Sequence, residues 1–147
     1  MAGVIPKFGP GPVTYEVVEA VKGGQVVEGR AGGKIGVAAA GSTTVLGVAS
    51  KDAAPTYTAS GTTGQGFPSV DTSAGYVTPY VAVHGEGHLP VEFTAAVAFG
   101  KAVKAAAAGK VAPWVSGTDA ADLIIGTCRE PGGITAAAQV GLIKISR

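Results

Sequence analysis

The chain has one cysteine, Cys128, which excludes an intramolecular disulfide. Cys128 lies in the apolar run LIIGTC, where a thiol is ordinarily buried and inert, and no neighbouring base is placed to make it a nucleophile. Charge is also scarce. Asp, Glu, Lys and Arg make up 14% of 147 residues, well below the usual quarter, and the formal net charge is +1. Such a balance leaves no basic footprint for nucleic acid. No run approaches the ~18 apolar residues of a membrane span. The opening MAGVIPKFGPGP lacks the apolar core of a secretory signal, so the expectation is a soluble protein made in a cytosol. Catalytic motifs are missing as well. There is no GxGxxG between a strand and a helix, no P-loop and no Gly-x-Ser-x-Gly elbow. GTTGQGF at residues 61–67 has neither the lysine nor the following helix of a phosphate loop.

What the chain does have is glycine, 24 residues of it, and a segment spelled twice. Residues 24–35 read GQVVEGRAGGKI and residues 100–111 read GKAVKAAAAGKV. Gly24, Val27, Ala31, Gly33, Lys34 and Ile35 align with Gly100, Val103, Ala107, Gly109, Lys110 and Val111. After a gap of different length, VLGVA at 45–49 is answered by IIGTC at 124–128. The repeat settles an ambiguity. Ala and Lys around 102–108 favour a helix, but the glycine-broken first copy is not helical and the two copies should share one shape. Residues 102–104 are therefore expected as a strand, 105–109 as a turn and 110–115 as the return.

Short β-branched and aromatic runs bounded by turn residues predict the other strands. These are 13–20, 26–27, 34–38, 45–49, 76–83, 89–93, 123–128 and 139–145. Pro79 cannot donate to a ladder, so the 76–83 strand is expected at a sheet edge. Thr118 is expected to cap a short turn containing Asp119 and Asp122. The expected fold class is all-β: a small β-barrel or β-sandwich of short antiparallel strands with duplicated hairpins, as a single domain over 13–147. Two segments stand outside it. Residues 1–12, with three prolines and three glycines, form an extended N-terminal arm whose Val4, Ile5 and Phe8 suit docking on a neighbour, with a loose terminus as the alternative. Residues 50–75 form a long irregular loop rich in Ser, Thr and Gly, with Tyr57 and Phe67 able to pin it to a surface. Between Asp52 and Gly100 there are four acids and no Lys or Arg. This charge asymmetry fits docking or self-association as well as it fits scattered surface charge.

Three features could carry chemistry. His84, Glu86 and His88 alternate, so a strand would place them on one face with zinc-ligand residue types. The intervening glycines and the missing fourth ligand favour a polar hairpin tip, and no metal is assigned. Lys34 and Lys110 each follow a glycine at a hairpin, as in biotinyl and lipoyl carrier domains. The flanking methionines of a biotin carrier are absent, and a carrier needs one special lysine rather than two. No cofactor is assigned.

The second copy with its C-terminal continuation, GKAVKAAAAGKVAPWVSGTDAADLIIGTCREPGGITAAAQVGLIKI, resembles the C-terminal half of tailed-phage head decoration proteins, also called capsid cement proteins. The matching elements are residues 100–103, 109–113, Ser116-Gly117, 123–126, 130–138 and 140–145. The first copy matches the N-terminal half of the family more loosely. Arm and long loop lie outside the resemblance. It implies a non-enzymatic virion protein that binds the capsid exterior, as a homotrimer, and cements the lattice of the major capsid protein. Contacts are then expected from Val4, Ile5, Phe8, Tyr57 and Phe67. Trp114 has two readings, an interface anchor and an ordinary core residue. A tail or neck component and a small carrier or ligand-binding barrel are the competing readings.

Overall fold

The computed structural model describes residues 11–55 and 78–146. Among the described residues ten strands alternate with turns: β1 (Val13–Glu16), β2 (Val26–Gly29), β3 (Ile35–Val37), β4 (Val45–Ala49), β5 (Tyr80–His84), β6 (Gly87–Glu92), β7 (Ala102–Ala106), β8 (Lys110–Pro113), β9 (Ile124–Cys128) and β10 (Val140–Ile145). They form two five-stranded sheets, β1-β5-β4-β2-β3 and β6-β10-β9-β7-β8, and the ladders within them are antiparallel. The second order is the first repeated five strands on. The duplicated sequence therefore encodes a duplicated sheet, with each copy contributing one half.

The equivalence extends to the register. In the β2–β4 pair Val27 faces Gly47 and Glu28 faces Val45, so Leu46 is an extra bulged residue. In the β7–β9 pair Val103 faces Gly126 and Lys104 faces Ile124, which bulges Ile125 at the same place. Each bulge is followed by a glycine because the neighbouring strand crosses closely there. A Cβ on Gly47 would lie 2.2 Å from the His84 carbonyl oxygen, and one on Gly126 would lie 2.2 Å from that of Lys144. The hairpin turns also match. Residues 31–33 and 107–109 are each a single 3₁₀ turn with a left-handed residue at its centre, Gly32 (φ 73°) and Ala108 (φ 59°).

Each half wraps its own core. Val17, Val21, Val27 and Ile35 are buried in the first, and Phe93, Val97, Val103 and Val111 hold the same positions in the second. Single parallel bridges, Val17 to Ile35 and Phe93 to Val111, draw the first strand of each sheet toward the last. One bridge is not a ladder, so the sheets curl without closing. Of the two expected architectures the barrel is not realised, and the halves pack as open sheets in the manner of a sandwich. A second layer of apolar contact joins them, with Val26, Ala38, Val45 and Val48 of the first half clustered with Ala105, Ile125 and Ile145 of the second.

Four local expectations are corrected. The 13–20 strand stops at Glu16, because the Val17 amide turns to the Pro79 carbonyl (2.9 Å) and the Val18 amide to that of Ile35 (2.9 Å). Pro79 precedes β5 instead of lying within it, and β5 is interior between β1 and β4. The prolines that do lie within strands are at sheet edges, Pro90 of β6 opposite Leu142 and Pro113 of β8 opposite Val103. Thr118 caps no helix, since the 3₁₀ turn Ala121–Leu123 begins after Ala120. The helical propensity around 102–106 is overridden as the repeat required, although β7 runs two residues further than expected, to Ala106.

Candidate interaction surface

Five of the six expected contact residues, Val4, Ile5, Phe8, Tyr57 and Phe67, lie outside the described residues. Trp114 is described, half-buried just after β8. Its ring Nε1 donates to the Ala120 carbonyl at 2.9 Å and its amide to that of Ala102 at 3.0 Å. The ring is anchored to its own loop, and part of it remains open to solvent. GTTGQGF lies outside the described residues, as does most of the 50–75 loop.

His84 ends β5, in the first sheet, and His88 lies in β6, in the second, opposite Lys144. Among the described residues no group of three or more His, Cys, Asp or Glu is placed to hold a metal. Cys128 is fully buried, its Sγ 4.0 Å from the Val97 carbonyl oxygen. Lys34 and Lys110 are both engaged. Lys34 Nζ meets Glu16 Oε1 at 2.8 Å and Lys110 Nζ meets Glu92 Oε1 at 2.6 Å. These are one ion pair copied twice, fastening the end of the first strand of each half to its third.

In the second strand of each half, charge is reversed at one equivalent position. Glu28 is buried in β2, where Lys104 stands in β7. Burial alone would raise the Glu28 carboxyl. Hydrogen bonds from the Ser42 hydroxyl and the Ala39 amide, with the Arg30 guanidinium 2.9 Å away, outweigh it and hold the group below its ordinary value. Lys104 pairs instead with Asp119, whose carboxylate also accepts the Val115 amide at 2.8 Å; the lysine and then the amide hold Asp119 low.

The junction between the halves is the most asymmetric feature of the molecule. From the first half come Gln25, Val26, Ala38, Gly41, Val45 and Val48. From the second come Ala105, Ala108, Gly109, Ile125 and Ile145. Gln25 Nε2 donates to the Ala108 carbonyl (3.0 Å), the Gly41 amide to that of Ala105 (3.0 Å) and the Gly109 amide to that of Ala38 (3.3 Å). Gly109 is pressed so closely that a Cβ would lie 2.9 Å from the Val26 carbonyl oxygen. The two sets are not copies of each other, so the halves meet by different faces.

Burial shows the consequence. Ile125 is fully buried, while its equivalent Leu46 is 39% exposed. Ala105 and Gly109 are buried, while Gly29 is half-buried and Gly33 exposed. Val26, Ala38, Val45 and Val48 are buried, while Ala102, Trp114, Ile124 and Thr127 are half-exposed. Each half thus leaves partly exposed the face that its sister buries. On the first half that face borders an open cleft of about 370 Å³ lined by Val13, Leu46, His84 and Ile145 among others. Sequence reasoning missed these faces. The signal was in the repeat itself, at the aligned positions where the copies differ in size.

No protein-family model matches the chain, and no curated protein matches it. Among solved structures it is similar to the N base of head fiber gp8.5 of bacteriophage phi29, with a TM-score of 0.59 over 91% of this chain and 92% of that one. Sequence identity between them is 16%, so what the likeness establishes is a shared fold.

Proposed function

We propose that this protein is a non-enzymatic structural component of a tailed-phage virion. In this reading it sits on the capsid exterior as an oligomer, a homotrimer by the decoration-protein resemblance, and stabilises the lattice of the major capsid protein. The observation that carries the reading is the fold likeness, over 91% of this chain, to the N base of a phage head fiber. It agrees with the decoration-protein resemblance carried by residues 100–145. The carrier alternative is disfavoured by the two lysines, each held by a carboxylate and neither singled out.

Cementing of this kind is linkage. A protein that binds the mature lattice and not its precursor stabilises the former by RT ln(1 + [L]/Kd), about 2.7 kcal/mol at a hundredfold excess over Kd. Several footprints on one oligomer strengthen attachment through effective concentration. The arm, with Val4, Ile5 and Phe8, and the loop aromatics Tyr57 and Phe67 are the proposed capsid contacts. The test mixes purified protein with heads of the source phage that lack it. Stoichiometric binding to expanded heads, with a raised temperature of genome release, is expected. Deleting residues 1–12 should weaken binding while leaving the β-sheet circular dichroism unchanged. Absence of binding to heads at every maturation stage would refute cementing, and binding to tails or necks alone would move the protein elsewhere on the particle.

A further inference from the structure

We infer that the junction inside the chain is repeated between chains: the uncovered face of the second half docks on the uncovered face of the first half of another copy. The inference deepens the oligomer of the preceding reading and rests on that reading only for self-association, not for the capsid.

Two equivalent halves could have met face to face through the same surface, and such an isologous contact would have used up both copies of it. They meet instead through different surfaces, and a heterologous contact leaves one free surface of each kind. The free surfaces of this chain are therefore complementary in origin: each is the counterpart of a surface that already binds the other kind. A second copy can occupy both, head to tail, and the series closes into a ring when the rotation per copy permits.

Residue chemistry supports the match. Ala102, Ile124 and Thr127 occupy the places of Val26, Val45 and Val48 and keep a small, largely apolar surface there. Leu46 occupies the place of Ile125 and is 39% exposed, where Ile125 is fully buried. Size is exchanged across the contact, since Trp114 stands where Ala38 stood and Gly29 where Ala105 stood. Main-chain features recur as well. Gly117 (φ 80°) matches Gly41 (φ 70°), whose amide binds Ala105, and the bond from Ser42 N to the Ala39 carbonyl recurs as Thr118 N to Val115. Gly33 keeps the left-handed conformation of Gly109 but has open space where Gly109 has a neighbour at contact distance. Lys101, exposed at the place of Gln25, can donate to the Gly32 carbonyl as Gln25 does to that of Ala108.

The test uses two blocking variants and their mixture. Leu46→Glu puts a charge on the first-half face, and Thr127→Glu puts one on the second-half face. Masses are read by light scattering, with circular dichroism as the check on folding. Wild type is expected at a fixed multiple of the 14.3 kDa chain, and each variant alone as a monomer. Mixed in equal amounts, the variants should form a dimer and nothing larger, because one intact face of each kind remains. If Thr127→Glu fails to fold, Lys101→Glu, at an exposed position, takes its place. A monomeric wild type, a variant that keeps the wild-type mass, or a mixture that stays monomeric would each overturn the inference. Wild type that binds phage heads as a monomer would overturn it while leaving the virion reading intact. A ring that binds no head would do the reverse.

Discussion

At the scale of single residues, two glycines in the same half separate conformation from space. Gly47 follows the β4 bulge, and a Cβ there would lie 2.2 Å from the His84 carbonyl oxygen and 2.7 Å from its carbon. Both are backbone atoms of a paired strand, so relief requires the ladder to part. Gly32 is left-handed at φ 73°, but a Cβ there meets nothing within 4 Å. The second half has already made that substitution, since Ala108 holds the equivalent position at φ 59°. Gly47→Ala should therefore cost about 2–4 kcal/mol, in the range of severe core overpacking. Gly32→Ala should cost only the left-handed penalty of about 1–2 kcal/mol. Urea denaturation of both variants checks the ranking, and equal losses would contradict it.

At the scale of elements, the repeat was legible because its anchors are residues that geometry fixes. Gly24 and Gly100, Gly33 and Gly109, and Gly47 and Gly126 are held by a positive φ or a close crossing, and Lys34 and Lys110 by a copied ion pair. Strands β5 and β10 are equivalent in the sheets, yet YVAVH and VGLIKI share almost nothing, because a strand needs only alternation and burial. Pro79 misled for a related reason. A missing donor fixes where proline cannot pair, but the strand after it can still run through the middle of the sheet. The junction faces were illegible one copy at a time, since an apolar position does not state which neighbour covers it. The copied ion pairs also support a prediction. All four side chains are more than a third exposed, so neutralising Lys34→Gln or Lys110→Gln should cost less than about 1 kcal/mol, and equally in the two halves. Urea denaturation with intact mass spectrometry tests this. A loss beyond about 2 kcal/mol at either lysine, or a mass added to either one, would contradict the reading of a structural pair.

At the scale of the whole molecule, the question is whether two halves with separate cores unfold as one. Val17, Val21, Val27 and Ile35 belong to a core contained in the first half, which favours autonomy. Against it stands the shared layer, where Val26, Val45 and Val48 pack into the same cluster as Val103, Ile125 and Ile143. Separating the halves would expose Val26, Ile125 and Ile145, each now 3% exposed or less. Fully burying such a side chain contributes about 1.5–3 kcal/mol. Three of them together rival the stability of a small domain, so neither half should survive alone under conditions that melt the other. Trp114, the single tryptophan, reports the second half, whereas far-UV circular dichroism reports both. The two probes should give coincident thermal transitions in the wild type. Val26→Asp places an unpaired charge in the shared layer and should lower both midpoints together, because a buried charge without a partner penalises the junction and not one core. Separate midpoints in the wild type would show that the halves fold independently and that the junction contributes far less than its burial suggests.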